Sequence, residues 1–527
     1  MFDVVVRNGR LVDGTGNPWT HLDVAIKEGR IAAIGRLDKA DATAVIDAQG
    51  QVVAPGFIDP HVHSDLLCLR PEVHKVKVMQ GITTELFGQD GISVAPVSER
   101  TKPLWQHQLR SLDGDIGDWS WNSVEDYLNY LSISNLNGNA AYLVPHGAVR
   151  TLVMGFAGRT STKAEAEEMR SLVENAMEQG AVGLSSGLIY PPNLYSDIEE
   201  LTEICKGAAK YHGCFVVHIR NESNRMLEAV DEMIEVARRS GVRLHLSHFK
   251  VAGQANRRNY SIALKKLEDA RAGGIEVTFD QYPYTAGSTV FHSILPPWMH
   301  DGGTNRMLEN LRDPDVQSRI KKAWLEDDSY ENWVRNCGWE NIVITAVGSE
   351  ANQSIEGLNL IQIAETRRQA PEDAAIDLLL EESANITMVT HWGVEEDIIS
   401  AMQHPLQMVG SDSIFGGKPH PRLYGTYPRV LGHFTRELKA LQLEDAIRRM
   451  TGAPAQLLRL QDRGLLREGY YADIVVFDPD KVADRATYER PLEASVGISH
   501  VLVNGEIVVL DGEYTGCTPG QVIYRRV

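Results

Sequence analysis

His61 and His63 close the apolar stretch VVAPGFIDPHVHSD, which runs over 52–65. Side chains alternate along an extended chain, so two imidazoles two positions apart face the same side. Neutral imidazole nitrogens are good ligands for zinc-like cations, and a convergent pair is half of such a site. An isolated His-x-His more often marks no more than a shared solvent-facing edge. The pair gains weight from four groups that occupy matching positions downstream. Asp90 follows Leu86-Phe87-Gly88-Gln89, His218 ends Phe215-Val216-Val217, His248 follows Leu244-His245-Leu246-Ser247, and Asp412 follows Met408-Val409-Gly410-Ser411. Taken singly, Asp90 beside Gly91 reads as a turn and either histidine as a satisfied core residue. Six groups repeated at the ends of apolar runs argue instead for one assembled site.

Four histidines and two carboxylates exceed what one catalytic zinc takes, which is three protein ligands and an open position. The surplus implies two metal positions, or one metal with a separate catalytic carboxylate. The nitrogen and oxygen mixture suits zinc, and manganese, iron and cobalt share these ligand types. Such a cation lowers the pKa of bound water to about 7. Asp412 is then suited to take the proton and return it to a leaving amine, which is the hydrolysis of an amide-like bond. Two cations complement this chemistry. Lys250 lies two positions beyond His248 and shares its face on an extended chain, and Arg422 can grip a carboxylate bidentately. For both, an ordinary structural ion pair is the plainer alternative.

The elements that must position these groups are legible as alternating strands and helices. Amphipathic helices are predicted over 163–178, 198–211, 222–240, 261–272 and 371–382, and buried strands over 215–219, 242–247 and 275–280. Alternation implies a parallel sheet, and only a closed barrel gathers the ends of non-adjacent strands at one face. The fold class is therefore α/β, a (β/α)8 TIM-type barrel over 56–460. More than eight strands can be drawn, 342–347 and 386–390 among the extra ones. A polar, Trp-rich segment interrupts the alternation at about 285–345 and reads as an inserted helical subdomain, expected to cover the mouth as a lid. Short strand runs separated by glycine turns occupy 1–55 and recur over 461–527. Neither set buries a core alone, so the two termini are expected to build one small β-sandwich.

Composition narrows the class. With 527 residues, 43% hydrophobic and 23% charged, the chain is long enough for a large barrel plus appendages. A net charge of −19 without a basic run argues against nucleic acid and anionic membranes as partners and for a small-molecule substrate, for a monomer or a homo-oligomer. No apolar stretch is long enough to span a membrane, and no secretory signal opens the chain. The five cysteines are scattered and odd in number, which fits free thiols in the cytoplasm.

These residues resemble the amidohydrolase superfamily and, more narrowly, its D-aminoacylase or N-acyl-D-amino-acid deacylase family. The similarity runs through PGFIDPHVHSD, QGITTELFGQDGIS, GAVGLSSGLIYPP, VVHIRNES, HLSHFKVAG, DQYPYTAGST and GSDSIFGGKPHPRLYGTYPRVLG, and on through MTGAPAQLL and RGLLREGYYADIVVFD. It implies a zinc-dependent barrel with a β-sandwich that hydrolyses N-acyl-D-amino acids to a carboxylate and the D-amino acid. The alternatives within the class are a dipeptide with a D-residue or a cyclic amide of dihydropyrimidinase or dihydroorotase type. Carried over by motif, Asp90, His218 and His248 would hold one tightly bound zinc. His61, His63 and Asp412 would frame a second, weaker position, with Asp412 as general base and acid. The resemblance further implies Tyr190, Lys250, Tyr282, Ser288 and Arg422 for substrate binding. His146, Arg150, Arg220 and Arg429 are added candidates for the mouth, without assigned roles. In one respect the chain departs from that pattern, because such deacylases usually carry Cys where GQDGIS has Asp90. A carboxylate is the harder ligand. Lys163, the nearest candidate for the bridging lysine of the cyclic amidohydrolases, opens a polar helix instead of ending a strand.

Overall fold

Strands buried on both faces of a parallel sheet need near-continuous apolar runs, and the centre of this chain supplies eight of them. The computed structural model describes residues 1–37 and 40–525. The strands are β1 (Phe57–Asp59), β2 (Ile82–Phe87), β3 (Asn139–Pro145), β4 (Gly183–Gly187), β5 (Cys214–His218), β6 (Arg243–Leu246), β7 (Val277–Gln281) and β8 (Gln407–Val409). Each pairs in parallel with its neighbour in this series. Just beyond β1 and β8 a parallel bridge joins Val62 to Ser413. There the Asp412 amide donates to the His61 carbonyl at 2.8 Å, and the His63 amide to the Ser413 carbonyl at 3.1 Å. The sheet thus closes into a (β/α)8 barrel, with the candidate residues at its C-terminal mouth.

The helices follow the 3.6-residue pattern, as at Lys163–Glu178, Ile198–Lys210, Arg258–Ala272 and Pro371–Glu381. The first opens on a capping box between Thr162 and Glu165. The helix expected over 222–240 starts later, at Met226. Asn221 Oδ1 accepts from the amides of Ser223 and Arg225 at 2.9 and 3.0 Å, which holds the preceding turn and leaves Glu222 outside the helix.

The excursion between β7 and β8 is longer than the expected 285–345 segment and is not wholly helical. Ala286–Val290, Ile342–Val347 and Ile386–His391 form a separate antiparallel sheet, with helices packed around it. The two extra strand candidates therefore belong to this sheet and not to the barrel. A short apolar run specifies a buried strand but not its partner.

Strands from both ends of the chain build two further sheets. One pairs Arg30–Gly35, Asp23–Lys27, Phe2–Arg7 and Ala42–Asp47. The other places Val52–Pro55 against Ile474–Phe477, followed by Ile498–Val503. Val4, Val24 and Ile26 of the first share a buried cluster with Val53, Ile474 and Leu502 of the second. Val52–Pro55 leads directly into β1, so this layer anchors the strand that carries His61 and His63. Among the described residues, no helix is long and apolar enough to cross a membrane.

Candidate metal centre

The barrel brings all six predicted groups to one place. His61 and His63 follow β1, Asp90 lies just beyond β2, His218 is the last residue of β5, His248 follows β6, and Asp412 follows β8. All six are buried. Asp90, His248 and Asp412 have φ of 56°, 33° and 49°. Left-handed backbone at a non-glycine residue costs about 1 to 3 kcal/mol, and three such residues around one point mark a site where the fold sets side-chain direction at the expense of local comfort. Gly410 fits the same crowding. A Cβ there would lie 2.8 Å from Asp280 Oδ1 and 3.1 Å from the His61 Cβ.

Asp412 Oδ1 stands 3.5 Å from His61 Nε2 and 3.3 Å from His63 Nε2. Asp90 Oδ2 stands 3.5 Å from His63 Nε2 and 3.9 Å from His61 Nε2. His218 Nδ1 and His248 Nε2 face each other at 2.9 Å. Three overlapping sets, Asp90 with His218 and His248, His61 with His63 and Asp90, and His61 with His248 and Asp412, each have ligand atoms within 4.8 Å of one another.

This donor set fits a divalent cation on two grounds. Both ring nitrogens of His61 and one oxygen of Asp90 are buried without a hydrogen-bond partner among the described residues, an unfavourable state that a ligated cation relieves. The electrostatics agree. Burial lowers the pKa of His63, yet Asp412 and Asp90 outweigh it and raise the pKa to about 10. Burial would likewise raise Asp412, but Arg422 and then His61 hold it well below the usual carboxylate range. The cavity is built to stabilise positive charge among its imidazoles, which a bound cation supplies.

Comparison with known proteins agrees with this geometry. Residues 44–509 match the amidohydrolase family profile Amidohydro_3. The chain belongs to the amidohydrolase family. It is 34% identical to a D-aminoacylase of Alcaligenes xylosoxydans xylosoxydans, over 99% of this chain and 98% of that one. Two solved structures, each 33% identical and each matched over the whole of both chains, are similar to this amidohydrolase. One is a D-aminoacylase studied for the role of its binuclear metal centre, with a TM-score of 0.85. The other is the N-acyl-D-glutamate deacylase of Bordetella bronchiseptica in complex with zinc and a phosphonate mimic of the tetrahedral intermediate, with a TM-score of 0.84.

The other predicted residues of the amidohydrolase lie around a tight pocket of about 20 Å³ beside the candidate ligands. Tyr190, Lys250, Tyr282 and Ser288 are all on its wall. Arg422 sits behind them, fully buried, with Nη1 2.8 Å from Asp412 Oδ2 and Nη2 donating to the Ser288 carbonyl at 2.9 Å. The Tyr282 ring lies 4.7 Å from the Arg422 guanidinium, and its buried hydroxyl has no hydrogen-bond partner among the described residues. Tyr190 bonds Thr289 at 2.7 Å. The Lys250 ammonium is already committed, at 2.6 Å from Glu222 Oε2. Gly287, Ser288, Thr289, Trp333 and Thr390 show that the excursion forms one wall of the pocket. Trp333 also borders a larger cavity of about 430 Å³, lined by Leu188, Leu194 and Leu295.

The additional mouth candidates are engaged elsewhere. His146 and Arg150 share the buried Glu200, each at 2.9 Å. Arg220 pairs with Glu232 and borders the larger cavity. Arg429 pairs with Asp484 at 3.1 Å.

Three carboxylates escaped the sequence reading. Glu222 Oε1 receives His248 Nδ1 at 3.1 Å, and burial alone would raise its pKa, but Lys250 and then His218 pull it down to about 2. Glu331, from the excursion, stands 4.0 Å from His218 Nε2 and accepts from the Glu222 amide at 3.1 Å. Asp280, at the end of β7, takes His245 Nε2 at 2.9 Å, lies 3.6 Å from His61 Nδ1 and accepts from the His248 amide at 3.0 Å. Such partners aim ligand imidazoles and raise their basicity. Asp280 had a readable signal, since it ends an apolar strand as Asp412 does. Glu222 and Glu331 had none beyond polarity.

Proposed function

We propose that this amidohydrolase cleaves the amide bond of N-acyl-D-amino acids, yielding a carboxylate and the free D-amino acid. The observation that carries the reading is the junction of the six-residue centre with a buried arginine, joined at Asp412, in a chain related over its full length to D-aminoacylase. Asp90, His218 and His248 would hold one zinc ion tightly, and His61, His63 and Asp412 would frame a second, weaker position. When bound, the metal supplies a Lewis acid that polarises the acyl carbonyl and acidifies water.

The chain's own residues do the rest. Asp412 is the general base and acid. Its Oδ2 is held by Arg422, which leaves Oδ1, the oxygen facing His61 and His63, to accept a proton from the attacking water and pass it to the departing nitrogen. Arg422 is the cation for the substrate's carboxylate, the Tyr282 hydroxyl is a free donor beside it, and Ser288, Tyr190 and Lys250 line the remaining wall. Burial of the pocket excludes bulk water and strengthens each of these interactions. The excursion is assigned as the lid over the mouth. Free thiols at all five cysteines suit a cytoplasmic enzyme.

The ring-opening alternative has less support, because the Lys163 side chain is 92% exposed on its helix and far from a bridging role. The deciding experiment combines elemental analysis of the purified protein with turnover of N-acetyl-D-amino acids, their L-enantiomers and dihydrouracil. Preferential turnover of the D-series by zinc-containing protein is the expected result. Turnover of dihydrouracil alone, or of neither class, rejects the proposal.

A further inference from the structure

Beneath the metal ligands the barrel seam contains a buried lysine that the reaction scheme does not use. Lys77 lies on the helix Pro71–Val78, after β1, and is fully buried. Its ammonium donates to Asp59 Oδ2 at 2.8 Å, Ser411 Oγ at 2.9 Å and Ser413 Oγ at 2.9 Å. These three bonds use all three donors of the group. Asp59 belongs to β1 and precedes His61 by two residues, while Ser411 and Ser413 flank Asp412. The other oxygen of Asp59 accepts from the Ser411 amide at 2.9 Å and the His61 amide at 3.3 Å.

The position of this network matters because β1 and β8 are short and share little backbone pairing. Their ends must nevertheless present Asp412 Oδ1 to His61 and His63 within 3.5 Å. Asp412 does so from a left-handed backbone, φ 49°, which aspartate adopts as a single residue at some conformational cost. Lys77 braces the residues on both sides of it at once. A second bracket lies nearby, where the Tyr427 hydroxyl is 3.0 Å from the Ile58 carbonyl and 3.1 Å from the Val409 carbonyl.

We infer that Lys77 is a positioning residue for catalysis, which cross-links β1 to β8 through Asp59, Ser411 and Ser413 and so sets the angle at which Asp412 meets the two histidines. This rests on the assignment of Asp412 as general base in the proposed deacylase. A group misplaced by 1 Å can cost a hundredfold in rate while substrate contacts stay intact, so the effect should fall on kcat.

The test compares wild type, Ser411→Ala/Ser413→Ala, Lys77→Met and the triple variant, all zinc-loaded, on N-acetyl-D-amino acids. The inference expects the double serine variant to keep its metal content and melting temperature, to lose at least tenfold in kcat and to hold KM within threefold. The serine substitutions should add less than twofold in the Lys77→Met background, because the hydroxyls act through the ammonium. Wild-type kcat in the double serine variant, additive losses across the cycle, or losses that merely track metal content overturn it. Should Lys77→Met fail to fold, the double serine variant decides alone. An inactive wild type would instead bring down the deacylase reading and this inference with it, whereas an active wild type with active variants removes only the inference.

Discussion

Arg422 Nη1 and Asp412 Oδ2 form a 2.8 Å ion pair with both side chains buried. The guanidinium assigned to the substrate carboxylate is thus the same group that holds down the basicity of the assigned general base. A carboxylate arriving at Arg422 draws part of that charge away from Asp412 and makes Oδ1 a better proton acceptor. Substrate anchoring and base strength are therefore linked through one side chain. N-acetyl-D-amino acid amides, which lack the carboxylate, should lose kcat as well as KM relative to the acids. Arg422→Ala should raise KM strongly, because the substrate carboxylate loses its cation. Steady-state kinetics on the acid and amide pair checks both statements, and an unchanged KM in the variant would reject the anchoring role.

In the proposed centre Asp90 is a carboxylate ligand at the position where the resemblance implies a cysteine. Asp90→Ala should reduce bound zinc and turnover together, and Asp90→Cys should hold zinc more tightly than wild type, because thiolate is the softer ligand. Elemental analysis after a graded chelator challenge measures this. Full metal content and turnover in the alanine variant would remove Asp90 from the site.

Glu222 faces His248 Nδ1 on one oxygen and the Lys250 ammonium on the other. Glu222→Gln keeps the shape but leaves Lys250 without its counter-ion and His248 without its orienting charge. Metal affinity should fall by roughly 10- to 100-fold, the usual effect of losing a ligand's supporting partner. Competition with a chromophoric chelator reads the change directly.

His300, in the excursion, is buried, and that burial lowers its pKa to about 4. Between about 4 and 6.5 the unfolded chain binds a proton there that the folded chain refuses. Stability therefore rises with pH through this window and falls on acidification, by about 3 kcal/mol at its lower end for this one residue. His292, whose ring lies 5.8 Å away, is lowered to about 3 and acts in the same sense. Denaturant midpoints at pH 7 and pH 5 should differ in wild type and differ less in His300→Gln.

The candidate site positions were readable because their signal is local. His61, His63, His218, His248 and Asp412 each lie at or within four residues of the end of a barrel strand, and a closed parallel barrel brings such ends together whatever the loops do. The closure and the helix spacing follow from the same alternation. By contrast, 342–347 and 386–390 read as well as barrel strands as they do as part of a separate antiparallel sheet. Hydrophobic patterning says that a run is buried and says nothing of which neighbour takes its hydrogen bonds.

What depended on the tertiary structure is the partner of each charge. Lys250 and Arg422 were chosen as cations near the site, yet their commitment to Glu222 and to Asp412 is a matter of distances of 2.6 and 2.8 Å. Glu331 reaches His218 across more than a hundred residues, and Lys77 reaches Ser411 and Ser413 across more than three hundred. Residue type and strand-end position are properties of short segments, so the chain's chemistry and its barrel could be read from order alone. Electrostatic pairing and left-handed backbone at Asp90, His248 and Asp412 arise only when remote segments are packed to within a few ångströms, because Coulomb energy and steric constraint depend on spatial separation, which sequence separation does not encode.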